Sequence, residues 1–144
     1  MKIKFNIDSQ LIEEKAEFWL RKMNPKIDRI AKDLVNDQDV LWCYQGAKIV
    51  PVDFDKIYAI QVIDQKTQVI TEQEQYDYKS RLYEVMQILP DYFLEASRST
   101  IVNYKKIHHL EMLNNGNIDA VMKNEMRVQF SRRKIRALKE KLGL

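Results

Sequence analysis

Polar and apolar residues alternate at the start of the chain, where every second residue of Lys2–Ile7 is apolar. A period of two is typical of a half-buried strand, so we predict a strand over Lys2–Ile7. The apolar residues of Ala16–Arg21 predict a second short strand, with a helix from Ser9 onward as the competing interpretation. Both segments favour a small ordered unit at the N-terminus.

A helix is predicted to begin at Asn24-Pro25, because asparagine caps a first turn and proline fits the first helical position. Apolar residues then recur at helical spacing as far as Asn36, which makes this helix amphipathic. The polar stretch Asn36–Asp39 follows. We therefore expect residues 1–40 to form a small α/β extension and residues 41–144 to form a separate domain.

Short strands dominate the pattern after Val40. Val40–Tyr44 and Ala47–Val50 flank Gln45-Gly46 as a hairpin. Further strands are predicted at Lys56–Ile63, Thr67–Thr71, Tyr76–Lys79, Phe93–Ala96, Ile107–Leu113, Ile118–Met122 and Met126–Phe130. Helices are predicted over Ser80–Leu89 and after Ser131. The predicted fold class is α+β and mainly β, which excludes a doubly wound parallel sheet and a helix-turn-helix in the basic last third.

Charge is distributed unevenly along the chain, although the formal net charge is only +3. Residues 1–40 hold eight basic and eight acidic side chains, and residues 41–91 hold five and eight. Residues 92–144 hold eleven basic and five acidic side chains. This excess has two interpretations: a solvated basic face, or an electrostatic footprint for nucleic acid.

Serine, arginine and lysine cluster in two segments of that basic third, Phe93–Ile107 and Val128–Arg133. The planar arginine fork matches guanine edges and phosphate oxygens, and lysines beside it suit phosphates. The candidate DNA-binding residues in the two segments are Arg98, Ser99, Asn103, Lys105, Lys106, Arg132 and Arg133. Asn103 has an equally weighted alternative, in which it bonds the backbone of a turn.

Several other functions lack their motifs. No apolar run is long enough to span a membrane, and the N-terminus has no apolar signal core, so we expect a cytoplasmic protein. The lone Cys43 excludes an internal disulfide and favours a small core residue. His108 and His109 are adjacent on a predicted strand, which would expose one and bury the other. We expect no enzyme activity, cofactor or metal.

Spaced elements from the middle of the chain to its end carry a family resemblance. They are Leu82-Tyr83-Glu84, Leu89-Pro90, Phe93, Arg98-Ser99, Ile101-Val102-Asn103, Ile107 and Ser131-Arg132-Arg133. In this order they resemble the LytTR DNA-binding domain of bacterial transcription regulators, over roughly residues 41–144. Residues 1–40 resemble the short extension of stand-alone regulators that lack a receiver domain.

The resemblance implies an elongated assembly of small β-sheets that inserts loop side chains into successive major grooves of duplex DNA. It implies base contacts by Lys66, in the loop Asp64–Thr67, and by Arg98 and Arg132. Glu95 departs from the pattern, since many members carry a basic residue there. It also implies paired promoter repeats and a homodimer or regulatory partner, for which the helix Pro25–Asn36 is a candidate surface.

Two alternatives remain. The first is a single-strand or RNA-binding module without sequence readout, which would stack bases on aromatic residues among the basic ones. The available rings are Tyr92, Phe93, Tyr104 and Phe130, of which the two phenylalanines fall at predicted core positions. The second is a protein-interaction adaptor that acts through residues 1–40.

Overall fold

The computed structural model describes residues 1–35 and 39–144. Three α-helices lie in these ranges: α1 (Pro25–Val35), α2 (Leu82–Met86) and α3 (Arg132–Leu142). The strands of these ranges are β1 (Val40–Gln45), β2 (Lys48–Asp53), β3 (Ala59–Ile63), β4 (Lys66–Ile70), β5 (Gln75–Tyr78), β6 (Phe93–Ser97), β7 (Thr100–Asn103), β8 (Ile107–Met112), β9 (Ile118–Met122) and β10 (Arg127–Phe130).

The strands form two antiparallel sheets. The larger sheet has seven strands in the order β2-β1-β5-β4-β3-β7-β6, and the smaller has three in the order β10-β9-β8. Single 3-10 helical turns over Phe54–Lys56 and Tyr104–Lys106 precede β3 and β8. The predicted fold class, mainly β with a few short helices, is confirmed.

Two apolar cores lie on opposite faces of the large sheet. One face of the sheet packs with α2 and includes Ile60 and Ile101. The other face packs with the small sheet and α3, and includes Val102, Phe130 and Leu138. Because neighbouring strand residues point to opposite faces, Ile101 and Val102 of β7 enter different cores. The large sheet is therefore the central layer that fixes the positions of α2, α3 and the small sheet.

Tight turns connect the strands. Asp64 and Gln65, between β3 and β4, both adopt left-handed backbone angles, with φ of 51° and 65°. A two-residue turn of this kind matches the twist of antiparallel strands. A register shift between Glu95 and Ser97 bends β6 just before its turn into β7. Such a bulge redirects the end of a strand.

The N-terminal extension departs from the expectation. Among the described residues, Lys2–Ile7 and Ala16–Arg21 form no strand, and no helix begins at Ser9. The predicted α/β extension is therefore wrong in its strands, because a strand needs a neighbour for its backbone hydrogen bonds and the described chain places none beside these segments. One small turn is present, in which the backbone N–H of Gln10 donates to Asp8 Oδ1 over 3.0 Å.

Helix α1 begins as predicted. The backbone N–H of Ile27 donates to Asn24 Oδ1 over 2.8 Å, which caps the first turn. Ile27 is buried, whereas Leu34 and Val35 near the other end are exposed. The predicted boundary at Asn36–Asp39 falls largely on residues 36–38, which lie outside the described residues. No helix in the described ranges is long and apolar enough to cross a membrane.

Candidate nucleic-acid interface

Two turns of the large sheet lie side by side at one end of the molecule. The backbone N–H of Val62 donates to the carbonyl oxygen of Ser99 over 2.9 Å. Val62 also faces Thr67 in the register of β3 and β4. Thr67 and Ser99 therefore flank Val62 from opposite sides, about 10 Å apart. This arrangement places Lys66, the first residue of β4, near the Arg98-Ser99 turn.

The start of α3 reaches the same end. The backbone N–H of Ser131 donates to the carbonyl oxygen of Ala96 over 2.9 Å, at the bulge of β6. Arg132 follows directly as the first residue of α3. Ser97, Thr100 and Arg132 border a cleft of about 570 Å³ between the two sheets. We call this region, defined by Lys66, Arg98, Ser99, Arg132 and Arg133, the turn end.

The cations of the turn end are exposed and little engaged. Within residues 1–35 and 39–144, the side chains of Lys66, Arg98 and Arg133 make no hydrogen bond or ion pair. Arg132 is held by the turn between β8 and β9: its Nη2 donates to the carbonyl oxygen of Asn115 over 3.0 Å, and its Nε lies 3.5 Å from Asn117 Oδ1. Most of the donors at this end are therefore available to an anionic ligand.

Lys105 and Lys106 lie elsewhere. They belong to the 3-10 turn at the opposite end of β7, whose four residues span about 13 Å. Lys105 Nζ lies 4.3 Å from the ring centroid of Tyr92, and Lys106 Nζ lies 5.5 Å from that of Tyr58. We call this region, Asn103–Lys106, the far end. The structure does not bring these lysines together with Arg98.

Asn103 is a correction to the predicted DNA-binding set. Its side chain is 1% exposed. Nδ2 donates to the carbonyl oxygen of Ile57 over 2.9 Å, and Oδ1 accepts from the backbone N–H of Lys105 over 3.0 Å. Both polar groups of the amide are thus used inside the protein. Of the two interpretations left open by the sequence, the structural one holds.

Two further cations near the turn end are neutralised. Lys134 Nζ lies 2.9 Å from Glu95 Oε2. Glu95, which departs from the family pattern, therefore has an ion-pair partner within the protein. Arg127 donates to both carboxylate oxygens of Glu111, over 2.8 and 3.2 Å, and lies 3.4 Å from Asp119. Hydrogen bonds from Arg127, and then from His109, lower the pKa of Glu111 to about 2. Arg127 and Lys134 are thus paired with carboxylates, whereas the cations of the turn end are not.

The two histidines correct another expectation. His108 and His109 are both exposed, and their Nδ1 atoms lie 2.8 Å apart. A register shift between Ile107 and His109 interrupts the alternation of β8, which explains why the rings share one side. In the described part of the chain, no three metal-ligating side chains form a cluster. Cys43 is fully buried as predicted, and its burial raises the pKa of the thiol to about 12.

The asparagines of the β8–β9 turn are the residues that the sequence did not single out. Asn115 and Asn117 hold the Arg132 guanidinium although 15 to 17 residues separate them from it. The only local signal is their place in a polar turn around Gly116. Contacts of this kind depend on how the small sheet packs against α3, which no local pattern reveals.

Comparisons with known proteins identify the family. Residues 47–143 match the family model described as the LytTr DNA-binding domain. A solved LytTr DNA-binding domain from Bacillus cereus is 28% identical, with a TM-score of 0.70, and the match covers 74% of this chain and 99% of that one. The chain therefore belongs to the LytTR family of DNA-binding domains.

Relatives of full length extend the identification. Staphylococcus aureus proteins described as uncharacterized HTH-type transcriptional regulators, from strains NCTC 8325 and N315 among others, are 31% identical over 147 residues. The alignments cover 100% of this chain and 99% of each relative. The protein is a DNA-binding transcription regulator. In its described residues, however, strands separate all three helices, so no helix-turn-helix is formed.

Proposed function

We propose that the protein is a sequence-specific regulator that reads duplex DNA through side chains of the turn end. Arg98 and Arg132 contact base edges, Lys66 assists them, and Ser99 and Arg133 bond nearby phosphates. The observation that carries the proposal is the pair of backbone hydrogen bonds, Val62 to Ser99 and Ser131 to Ala96, that joins three chain segments at one end. Loops held in this way present their side chains at set positions to successive major grooves.

The chemistry of the exposed cations supports this assignment. An arginine can donate two hydrogen bonds to one guanine, which is the commonest base-specific contact in DNA complexes. Within the described residues, Arg98 has no internal ion pair that it would have to break before it binds a guanine. Arg132 keeps its bond to the Asn115 carbonyl, which holds the guanidinium in place before DNA arrives. Preordered donors lower the entropic cost of binding.

Residues outside the turn end complete the proposal. Lys105 and Lys106 contact phosphates, which add affinity that depends on salt but no sequence information. Residues 41–144 form the DNA-binding unit, and residues 1–40 serve association on paired promoter repeats. Binding at equilibrium requires no chemical step, cofactor or metal, and it takes place in the cytoplasm.

Substitution of each reading arginine tests the proposal. Arg98→Ala and Arg132→Ala should each weaken binding to a specific duplex by about 1–3 kcal/mol, the usual worth of a two-bond base contact, and should change affinity for a scrambled duplex much less. The matched control is Arg136→Ala, since this exposed arginine of α3 is paired with Glu140. Equal losses on both duplexes would reduce the substituted arginine to a phosphate contact.

The single-strand alternative has less support. Phe93 and Phe130 are buried, and Tyr92 and Tyr104 each lie beneath a lysine ammonium. Base stacking needs exposed ring faces; the two phenylalanines offer none, and the two tyrosines are half-buried with a lysine next to one face. Competition between duplex and single-stranded DNA separates the two functions. Preference for the single strand would favour the single-strand module. The adaptor interpretation needs a separate binding test with residues 1–40.

A further inference from the structure

The N-terminal segment carries the pattern of a strand, but no strand of the described residues lies beside it. Ile3, Phe5 and Ile7 are 75%, 84% and 91% exposed, although they alternate with polar residues as the core face of a strand would. Exposed apolar surface of this kind marks an interaction site in a water-soluble protein. Its backbone groups at residues 2–7 make no hydrogen bond within the described residues, so they are available to a neighbouring strand.

The residues of this segment are complementary to themselves. In an antiparallel pair centred on Phe5, Lys2 of one copy faces Asp8 of the other, and Ile3 faces Ile7. Opposite charges and apolar side chains that face each other across two strands both stabilise a sheet, and two facing phenylalanines add an aromatic pair. The charge pair and the isoleucine pair each form twice, because a two-fold axis relates the copies.

We propose that two copies of this chain associate by pairing residues 2–8 as an antiparallel ribbon with Phe5 on the two-fold axis. This places the apolar side chains of both copies on one face of the ribbon and the charged ones on the other. The occupant is a second copy because the segment supplies its own charge complement. The inference does not depend on which residues read DNA.

The ribbon needs a cover for its apolar face, since two isolated strands are only marginally stable. Ile12 and Trp19 are suited to supply it, because they belong to the same segment and are 103% and 88% exposed. The turn at Asp8–Leu11 redirects the chain between the strand and these residues. Each copy thus contributes a strand and its cover to the same interface.

Cysteine cross-linking in the full-length chain tests the register. Phe5→Cys should form a disulfide-linked dimer under mild oxidation, because facing residues of paired strands are close enough for a disulfide. Cys43 is fully buried, so the parent chain should remain uncross-linked. Met112→Cys is the matched control, because Met112 is 83% exposed, as against 84% for Phe5, and lies outside the proposed interface. Cross-linking of Phe5→Cys no faster than that of Met112→Cys would overturn the proposal.

A mixing experiment makes the register test stricter. Ile3→Cys alone and Ile7→Cys alone should cross-link poorly, because equivalent residues lie about 13 Å apart along the strands. An equal mixture of the two variants should cross-link efficiently, since Ile3 of one copy faces Ile7 of the other. Efficient cross-linking of either variant alone would contradict the antiparallel register centred on Phe5.

Association itself is measured by sedimentation and fluorescence. The parent chain should shift from monomer to dimer with increasing concentration, and Phe5→Asp should abolish the shift. In a Trp42→Phe background the emission of Trp19 should move to shorter wavelength over the same range. Lys2→Glu should weaken dimerisation by placing two acidic groups face to face. A parent chain that stays monomeric up to its solubility limit would refute the proposal.

Discussion

The two ends of β7 carry similar residues and use them differently. At the turn end, the Arg98 side chain is exposed and has no partner in the described ranges, and its neighbour Ser99 offers its carbonyl oxygen to Val62. At the far end, Asn103 is buried and bonded, and the ammonium groups of Lys105 and Lys106 rest on tyrosine rings. The four residues of β7 thus separate donors that are available to a ligand from polar groups that already contact other parts of the protein.

This contrast shows that residue type alone does not tell which polar side chains are available to a ligand. Both ends lie within the single basic segment Phe93–Ile107, and both contain side chains that DNA-binding proteins use. What differs is the cost of reaching a ligand. Among the described residues, Arg98 has no internal hydrogen bond or ion pair to give up. If the Asn103 side chain turned outward, it would leave the Ile57 carbonyl and the Lys105 N–H without this partner.

The largest effect is expected at the far end, on stability. Asn103→Ala should lower the free energy of unfolding by about 2–4 kcal/mol, because the Ile57 carbonyl and the Lys105 N–H each lose a buried partner. Urea unfolding measures the change. Ser99→Ala at the turn end is the control and should shift stability by less than about 0.5 kcal/mol. Similar values for the two variants would remove the distinction between the ends.

The next effect concerns salt. Lys105→Gln combined with Lys106→Gln should reduce the log–log slope of DNA affinity against salt by about two, since each phosphate contact contributes about 0.9. Base preference should stay the same. Lys66→Gln at the turn end should reduce the slope by about one and also alter base preference. An unchanged slope in the double variant would show that the far end does not touch DNA.

A smaller effect is expected from the turn that holds Arg132. Asn117→Ala removes the contact to Arg132 Nε but leaves the bond to the Asn115 carbonyl. Specific DNA binding should weaken by about 0.5–1.5 kcal/mol, the net worth of one hydrogen bond. Asn114→Ala, in the same turn, is the control. Binding assays in which both variants match the parent would mean that Arg132 needs no support from Asn117.

The smallest effect on DNA binding is expected from an engaged arginine. Arg127→Ala should change affinity by less than about 0.5 kcal/mol, because Glu111 and Asp119 already neutralise Arg127. The same variant should raise the pKa of Glu111 from about 2 toward 4.5, which carboxyl NMR titration detects. Because folding lowers this pKa, the ion pair stabilises the protein above the ordinary carboxyl pKa and is lost as pH falls toward 2. A large loss of DNA affinity would instead place Arg127 among the residues that contact DNA bases.

Local signals predicted much of this architecture. Asn24-Pro25 marks the start of α1, Gly46 lies in the β1–β2 turn, and Ser131 immediately precedes α3. Each feature depends on residues within a few positions of one another, so sequence spacing is sufficient to place it. Ser131 makes no side-chain cap hydrogen bond. The sequence therefore predicted where α3 begins, but not how its first turn is bonded.

Features that depend on distant residues were not predictable in this way. The partner of Asn103 is the Ile57 carbonyl, 46 residues away, and nothing near Asn103 indicates it. The bulge that places His108 and His109 on one side arises from the pairing of β8 with β9. The alternation of Lys2–Ile7 predicted a strand that the structure does not form, because a strand also requires a neighbour. The DNA contacts of Lys66, Arg98 and Arg132 stay predictions.

The hydrogen bonds that join the turn end use backbone atoms alone, from Val62 to Ser99 and from Ser131 to Ala96. No side chain at position 66, 98 or 132 takes part in them. Substitutions at these positions therefore leave these backbone hydrogen bonds in place. On the proposed function, a lineage of such regulators can drift from one operator to another through single codon changes, and a small combinatorial library at these three positions offers a direct route to new binding specificities.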